Sequence, residues 1–420
     1  MNINAKRDPV PLLGQVYLKR ETDAYERAGH PWIYKSRIAR VSDAAPGDLV
    51  QVHETGRVLG TGYYNPSSEI AVRILEFGNR PFTADTLKEK ITRAVRDREG
   101  LLVDTNAVRL VWSEADGLPG LIVDRYDQVL VVQFLTLGME RLKDRVLEAL
   151  ESAAPSRGVF EKSDSPLRKK EGLEARTGWL RRDCLPADAL VAGGDETLVR
   201  EHGLSFSVKF GEGHKTGLYL DQRENRILLA EGGRTGAALD GFCYTGGFGL
   251  HLARAGWTVT GIDSQPDVIE LARKNAELNG LTGKAEFRAA NVFEELKRLQ
   301  KDQKAFDLIV LDPPSFVKSR GEIPGALSGY KEIALRSMKL LSPGGRLAVF
   351  SCSWHIDENL LMQACLSAAV DAHKGLRVLK FLKQAADHPI DPFIPETYYL
   401  KGFLLEVTDA VRWGGISRVL

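Results

Sequence analysis

Residues 240–249 have the sequence DGFCYTGGFG, between a short apolar run at 237–239 and a helical pattern that begins at Leu250. A second apolar run at 258–262 follows and leads into Asp263. This order of apolar run, glycine-rich turn, helix, apolar run and acid is typical of a βαβ unit that binds a nucleotide-like cofactor. Glycine lets the backbone approach a ligand closely, and the acid can accept hydrogen bonds from ribose hydroxyls. The spacing departs from GxGxxG, so the loop alone does not identify the cofactor.

Length and composition set the class of protein. The chain has 420 residues, 43% hydrophobic and 27% charged, which indicates a globular protein of two or three domains. No stretch approaches the roughly 20 apolar residues of a membrane span, and the N-terminal segment lacks the apolar core of a signal peptide. The sequence therefore predicts a cytoplasmic protein without a membrane partner. The four cysteines have neither metal-ligand spacing nor a disulfide pattern, so no metal site is predicted.

The distribution of charge gives only weak evidence about binding partners. The formal net charge of +1 does not demand a nucleic-acid partner, although a local basic patch suffices to bind one. Residues 157–182 contain eight Lys and Arg against four Asp and Glu. Both a phosphate-binding surface and a solvated linker are consistent with this run.

Residues 1–80 contain short apolar runs separated by turn signals such as Pro46-Gly47 and Asn65-Pro66, which predicts a small β-rich domain with a compact barrel. Residues 81–190 have helical spacing from Ala84 to Leu102 and again through 142–150. They predict a central α+β domain that ends in the basic linker. The strands predicted for these two domains are 16–20, 37–41, 48–54, 58–65, 70–77, 108–112, 120–123 and 129–134.

Residues 191–420 begin with a hairpin pattern and then alternate between strand and helix. The helix predicted at 265–279 has an apolar stripe and a stop signal at Asn279-Gly280. Alternation of this kind predicts an α/β fold, with a mostly parallel sheet covered by helices on both faces. Its predicted strands are 237–240, 258–262, 285–289, 308–311, 346–350 and 403–407.

Residues 307–316 have the sequence DLIVLDPPSF, a buried strand that ends in a rigid polar turn. Ligands of open α/β sheets bind outside the carboxyl ends of the strands, so Asp312 is predicted to face the ligand crevice. An Asp-Pro-Pro-aromatic turn at the fourth strand recurs in methyltransferases that act on nucleobases. The alternative is an acid in a purely structural turn.

Cys352 lies in the sequence FSCSW, after the predicted strand at 346–350. That position is at the same sheet edge as the acids at 240, 263 and 312. A thiolate there would serve as a covalent nucleophile, whereas most lone cysteines are small apolar residues. Cys243 is near the crevice, but its place within the glycine loop favours packing. The other two cysteines are interpreted as structural: Cys184 and Cys365.

Two further motifs have open alternatives. Asn291 follows the third predicted strand, where its amide would bind an adenine amino group or cap the next helix. Residues 211–223, GEGHKTGLYLDQR, bring glycines, a cation, an aromatic residue and an acid together just before a helix. They would cover one side of a nucleoside or form an ordinary connection.

With these motifs in place, almost the whole chain resembles the RlmI-type class I S-adenosylmethionine-dependent methyltransferases, which make 5-methylcytosine in large-subunit (23S) ribosomal RNA. HPWIY at 30–34 and GYYNP at 62–66 resemble the family's PUA domain, an RNA-binding β-barrel. EADGLPGL at 114–121 resembles its central domain, and residues 161–173 resemble its linker. Four motifs match its catalytic domain in order: GHKTGLYLDQREN, DGFCYTGGFG, DPPSF and FSCSW.

The resemblance implies roles for these residues. S-adenosylmethionine would be the cofactor, ribosomal RNA the substrate and a homodimer one allowed assembly. Cys352 would be the nucleophile, and Asp312 would act with it. The implied cofactor-binding residues are Tyr219, Asp221, Gln222, Asp240, Phe242, Tyr244, Thr245, Gly246, Gly247, Asp263, Ser264, Asn291 and Asp312.

The implied mechanism has a physical reason. Cytosine C5 is too weakly nucleophilic to take a methyl group unaided, and addition of a thiolate at C6 makes C5 enamine-like. Asp312 would stabilise this addition through the N3/N4 edge of a base that has been unstacked. Other 5-methylcytosine enzymes carry a second cysteine after the proline of this turn. Here that place is Pro314-Ser315, so the resemblance supplies no second cysteine for release.

Three alternatives remain at this point. The same fold acts on guanine nitrogens in enzymes that need no cysteine. A nicotinamide-dependent dehydrogenase would also use a glycine loop and an acid such as Asp263, although the irregular loop and DPPSF argue against it. A non-catalytic RNA-binding or assembly factor would use the barrel alone, and the cofactor motifs argue against that alternative.

Overall fold

The computed structural model describes residues 12–19, 29–182, 195–211, 217–317 and 319–409. The described residues form two compact units. The first contains those up to Arg200, together with those of Val208–Gly217 and Ala386–Thr397. The second contains Glu201–Ser207, Leu218–Ala385 and the residues from Tyr398 onward. Within the described part of the chain, no helix is long and apolar enough to cross a membrane.

The first unit begins with a six-stranded sheet of order β2-β6-β5-β4-β1-β3. Most neighbours are antiparallel, but β1 runs parallel to β4. Alternating apolar side chains on these strands form a small core that includes Val16, Val52 and Ile74. The strands are β1 (Leu12–Leu18), β2 (Trp32–Ile33), β3 (Ile38–Ser42), β4 (Leu49–Glu54), β5 (Arg57–Tyr64) and β6 (Val72–Phe77).

A five-stranded sheet of order β11-β10-β9-β8-β7 follows, and its apolar core also includes Leu49, Tyr63 and Leu75 of the first sheet. The capping-box residue Thr83 starts its first helix by accepting a hydrogen bond from the backbone N–H of Thr86. The strands are β7 (Ala107–Trp112), β8 (Leu121–Tyr126), β9 (Val129–Phe134), β10 (Gly158–Ser163) and β11 (Arg176–Arg181). The helices are α1 (Ala84–Glu99), α2 (Leu137–Arg141), α3 (Lys143–Ala153) and α4 (Leu167–Lys170).

The basic run at 157–182 corrects one prediction, because it is folded and not a linker. It supplies β10, α4 and β11, and Phe160 of β10 is buried. The charge is partly internal: the Arg168 side chain is 1% exposed and pairs with Glu140 at 2.8 Å. Charge composition alone does not reveal which cations meet buried acids. The division of the chain at residues 80 and 190 stays a prediction.

The two-stranded sheet β12-β13 confirms the predicted hairpin, with β12 at Glu196–Glu201 and β13 at Leu204–Lys209. The second unit contains a seven-stranded sheet of order β16-β15-β14-β17-β18-β20-β19. Its strands are β14 (Ala237–Gly241), β15 (Thr258–Asp263), β16 (Ala285–Ala289), β17 (Phe306–Leu311), β18 (Leu341–Ser351), β19 (Lys374–Lys383) and β20 (Lys401–Asp409). Its helices are α5 (Arg223–Ala230), α6 (Gly247–Arg254), α7 (Pro266–Leu278), α8 (Val292–Lys301), α9 (Ile323–Leu340) and α10 (Glu358–Ala372).

Strands β16, β15, β14, β17 and β18 are parallel, and β20 runs antiparallel to both of its neighbours. Their near-continuous apolar sequences fit a sheet that is buried on both faces. Five parallel neighbours place five carboxyl ends along one edge. The order changes direction between β14 and β17, which is where α/β sheets of this kind bind their ligands.

Candidate active site

Four of the predicted site residues lie along the edge of the sheet where the parallel strands end. Asp240 is the second-last residue of β14, and Asp263 is the last residue of β15. Asp312 follows β17 directly, and Cys352 follows β18. Since these four strands are parallel neighbours, sequence positions more than a hundred residues apart meet at one crevice.

The glycine-rich turn between β14 and α6 has an unusual backbone. Phe242, Tyr244 and Gly246 have φ angles of 66°, 48° and 85°, all in the left-handed region. A Cβ atom on Gly246 would lie 2.9 Å from the Phe287 ring, so both conformation and space require glycine there. A Cβ atom on Gly247 would meet Arg226 at 3.1 Å. The start of α6 therefore has no side chains at Gly246 and Gly247.

Asp240 is a fully buried acid beneath this turn. Its Oδ2 accepts a hydrogen bond from the backbone N–H of Gly249 at 2.8 Å. Its Oδ1 is buried and has no hydrogen-bond partner among the residues that the structure describes. Burial, together with the nearby charges of Asp312 and Asp263, raises the pKa of Asp240 to about 8.

This concentration of carboxylates distinguishes two kinds of cofactor. A dinucleotide brings a pyrophosphate to the glycine loop, and the negative charge of Asp312 near Asp240 would repel that anion. S-adenosylmethionine brings a sulfonium and an ammonium, and an unsatisfied buried carboxylate oxygen suits a cationic ligand. The residues present therefore fit S-adenosylmethionine better than a nicotinamide cofactor.

Asp263 and its neighbours form the second wall. The two carboxylate oxygens of Asp263 accept the backbone N–H groups of Tyr244 at 3.0 Å and of Gln265 at 3.1 Å. Ser264 is exposed beside it. The carbonyl of Thr245 accepts a hydrogen bond from Asn275 at 3.1 Å, which fixes the turn from behind.

Tyr219 lies near both the glycine-rich turn and the acids of the crevice. Its ring packs edge-on against Tyr244, with 5.0 Å between centroids. Its pKa is raised by burial first and then by the negative charges of Asp312, Asp221 and Cys352. The structure thus brings Tyr219 and these three groups together, although they come from three separate stretches of sequence.

Asp221 and Gln222 follow Tyr219 closely in the sequence and are both buried. Asp221 Oδ2 accepts a hydrogen bond from the Tyr399 hydroxyl at 2.6 Å. Gln222 Oε1 accepts one from the Asn225 side chain at 2.6 Å. Sequence reasoning missed Tyr399, because nothing in its local pattern indicates a partner 178 residues away.

A buried ion pair also supports this region. Arg226 and Glu201 form two parallel hydrogen bonds of 2.8 Å, and Arg226 Nη1 donates to the carbonyl of Tyr219 at 2.8 Å. His251 of α6 lies 3.5 Å from the same glutamate. Sequence reasoning missed both members of the pair, although Arg226 directly follows the quoted GHKTGLYLDQREN motif.

Asn291 is the N-cap of α8. Its Oδ1 accepts the backbone N–H groups of Phe293 at 3.0 Å and Glu294 at 3.3 Å. The capping alternative is therefore present in the structure. An adenine contact by Asn291 stays a prediction, and the side-chain N–H group is the part that the cap leaves for it.

The crevice closes around Asp312 and Cys352. Cys352 is half-buried, and its Sγ lies 4.0 Å from the carbonyl of Pro313. Tyr330 of α9 donates a hydrogen bond of 2.9 Å to Ser351 Oγ and packs against Phe316 of the proline turn. The turns after β17 and β18 are thus held against each other.

The remaining cysteines differ from Cys352. Cys243 and Cys365 are both buried, and burial raises the pKa of each thiol, for Cys365 to about 12. Neither has the environment of a reactive thiolate. Cys184 and residues 212–216 lie outside the described residues.

Together, the strand order, the left-handed glycine turn and the acidic crevice define a class I methyltransferase domain that uses S-adenosylmethionine. The family of S-adenosylmethionine-dependent methyltransferases matches residues 144–394, and that of PUA-like domains matches residues 16–77. Two solved structures share the fold: a provisionally assigned methyltransferase from Streptococcus mutans, and another methyltransferase, also provisionally assigned, in complex with SAH. Their TM-scores are 0.78 and 0.77, each at 19% identity, covering 93% and 94% of this chain and 99% and 100% of theirs.

Curated relatives carry a more particular name. A protein of Shewanella denitrificans called ribosomal RNA large subunit methyltransferase I is 39% identical, over 90% of this chain and 95% of its own. A protein of the same name from Photobacterium profundum is 38% identical, over 92% and 98%. The chain belongs to the ribosomal RNA large subunit methyltransferase I family.

Proposed function

We propose that this protein methylates C5 of a cytosine in large-subunit ribosomal RNA, with Cys352 as the covalent nucleophile. One observation supports the proposal: the half-buried thiol of Cys352 lies at the same crevice as Asp312 and Asp221, two acids proposed to bind the cofactor. The name of the relatives supports the ribosomal substrate, and the PUA-like match at 16–77 supports a separate RNA-binding domain. The division into domains at 1–80, 81–190 and 191–420 belongs to the same proposal.

The cofactor roles follow the geometry. Asp240 and the backbone of 242–247 would hold the methionine part, since its ammonium suits the buried carboxylate. Asp263 and Ser264 would meet the ribose. The side-chain N–H of Asn291 would approach the adenine ring. Tyr219, Asp221 and Gln222 would cover the cofactor from the other side.

The chemistry begins with the Cys352 thiolate, which adds to C6 of the cytosine and pushes an electron pair toward C5. When bound, S-adenosylmethionine supplies an electrophilic methyl group, which this activated C5 would take. A base must then remove the C5 proton, so that the C6–S bond breaks and the thiolate leaves. Asp312 would donate to or bridge the N3/N4 edge, which stabilises the charge that forms during addition.

The turn 312–316 shapes this step. Pro313 and Pro314 keep it extended, and Phe316 anchors it against Phe242 and Tyr330. Ser315 is exposed where related cytosine enzymes have a second cysteine. Release would therefore proceed without a second thiol.

The test uses purified protein, labelled S-adenosylmethionine and large-subunit ribosomal RNA that lacks the modification. Label should appear in 5-methylcytosine and disappear with Cys352→Ala. Cys365→Ala, which alters a buried thiol in α10, is the matched control and should retain activity. Label in a guanine that survives Cys352→Ala would overturn the proposal and favour a guanine N-methyltransferase.

A trapping experiment tests the covalent step separately. RNA containing 5-fluorocytosine cannot lose its C5 substituent as a proton, so the adduct should persist as a protein–RNA species stable to denaturant. Peptide mass analysis should locate the link at Cys352. Methylation without any such adduct would contradict the covalent mechanism.

A further inference from the structure

Lys401 is a lysine in an unusual place. It is the first residue of β20 and pairs in register with Ser351, which precedes Cys352. Its side chain is buried, with only 4% of the residue exposed. A lysine is rarely buried without a strong partner, because the desolvation of its ammonium is costly.

The contacts of Lys401 converge on the turn that carries Cys352. Its Nζ donates to the carbonyl of Ser353 at 3.3 Å and to that of Tyr399 at 3.4 Å. It also lies 5.7 Å from the ring centroid of Trp354 and 5.3 Å from that of Tyr398. One ammonium therefore contacts the two residues that follow Cys352.

The charges that face this ammonium come from two elements. Asp357 and Glu358, at the start of α10, and Cys352 itself favour its protonated form, while burial lowers its pKa to about 8. The hydrogen bonds of Lys401 Nζ go to two backbone carbonyls, and Asp357 and Glu358 act on it only as nearby charges. The Cys352 thiolate would thus add a negative charge on the side of the turn.

The same turn has a neutral support on its other side. Tyr330 donates to Ser351 Oγ, and the backbone N–H of Ser353 lies 3.4 Å from that oxygen. Two side chains therefore hold this turn in place, Tyr330 and Lys401, and only Lys401 carries a charge. This asymmetry allows the electrostatic role to be separated from the structural one.

We propose that Lys401 is a positioning residue for the nucleophile: it holds the turn 351–354 and stabilises the thiolate of Cys352. This inference rests on the proposed role of Cys352. Cys352 and Lys401 interact through their charges, and a nearby opposite charge favours the ionised form of a thiol. Lys401 would not touch the substrate, since it acts through the turn from the side of β20.

The test measures the alkylation rate of Cys352 by iodoacetamide in the full-length protein, followed by peptide mass analysis across pH 6 to 10. Lys401→Gln keeps a hydrogen-bond donor but loses the charge. It should slow alkylation about tenfold at pH 7, and its rate should converge with the wild-type rate above the lysine pKa. Lys401→Arg stays charged, so it should retain the fast reaction at pH 7.

Tyr330→Phe is the matched control. It removes the neutral support of the same turn and should leave the pH midpoint of alkylation unchanged. A Lys401→Gln profile that overlays the wild-type profile would overturn the inference. If Lys401→Gln does not fold, Lys401→Arg provides the test. An arginine stays charged across pH 6 to 10, so its alkylation profile should lack the change that the wild type shows near pH 8, where the lysine loses its charge. A Lys401→Arg profile that keeps this change would overturn the inference.

Methyl transfer is measured in parallel to separate the two proposals. If Lys401→Gln shifts alkylation but Cys352→Ala still methylates, the proposed function fails and the influence of Lys401 on the thiol stands. If methylation requires Cys352 but alkylation does not depend on Lys401, only the role of Lys401 fails.

Discussion

Asp240→Asn should change stability and cofactor affinity in opposite directions. Burial, together with the charges of Asp312 and Asp263, raises the pKa of Asp240 to about 8 from its ordinary 3.8. Between these values the folded protein keeps a proton that the unfolded chain has released. The free energy of unfolding therefore falls as pH rises from about 4 to 8.

The size of this effect follows from the pKa difference. Each pKa unit corresponds to about 1.4 kcal/mol, so ionising Asp240 in the folded state costs at most roughly 5 kcal/mol of stability by pH 8. The asparagine does not titrate, which removes this share of the pH dependence. Urea unfolding should show that, from pH 5 to pH 8, the free energy of unfolding of the variant increases by several kcal/mol relative to that of the wild type.

Cofactor binding should show the opposite trend. The cationic ligand favours the carboxylate, so binding to the wild type should release a proton below pH 8, and affinity should rise with pH. Loss of a charge-assisted contact of about 1.5–3 kcal/mol predicts roughly 10- to 100-fold weaker binding in Asp240→Asn. Calorimetric titration in buffers of different ionisation enthalpy measures both the affinity and the proton release.

Asp307→Asn is the control, because Asp307 lies at the opposite end of β17 and accepts a hydrogen bond from the backbone N–H of Ala237. It should leave cofactor affinity unchanged. Parallel stability curves for wild type and Asp240→Asn would refute the raised pKa. Undiminished affinity in Asp240→Asn would refute its contact with the cofactor.

Three further substitutions test other parts of the site. Glu201→Gln leaves Arg226 buried without its counter-charge, so thermal unfolding should show a loss of about 3–5 kcal/mol, and calorimetry should show weaker cofactor binding. Gly246→Ala should cost about 1–3 kcal/mol in urea unfolding, because a Cβ there meets the Phe287 ring, whereas Gly283→Ala has open space and should be neutral. Asn291→Asp keeps the cap of α8 but removes the amide N–H, so unchanged stability with weaker cofactor binding would support its adenine contact, and unchanged binding would contradict it.

The sequence predicted most of the second unit, because its strands are near-continuous apolar runs bounded by glycine and proline. Each of the six strands predicted there has an observed counterpart, from β14 to β20. Strand β19 was not predicted. It is the edge strand of the sheet, and most of its side chains are exposed or half-buried, so it lacks the apolar run that marks the inner strands.

Residues at the site could be predicted where a local pattern places them. Asp240, Asp263, Asp312 and Cys352 each follow an apolar run, and the rule that parallel strands share a carboxyl edge brings them together. Nothing comparable indicates Glu201, which lies in a hairpin and meets its partner only after folding. A salt bridge between distant elements has no period and no spacing in the sequence.

The segment just before β20 shows why these missed contacts matter. Tyr399 holds Asp221, on the proposed cofactor side, and two residues later Lys401 holds the turn after Cys352, on the proposed nucleophile side. Lys401 also donates to the carbonyl of Tyr399, so the two contacts share one short stretch of backbone. Methyl transfer requires the donor and acceptor atoms to be aligned to within about an ångström. One stretch that fixes both sides is a direct physical means to that alignment, and it lies at the start of the antiparallel strand β20.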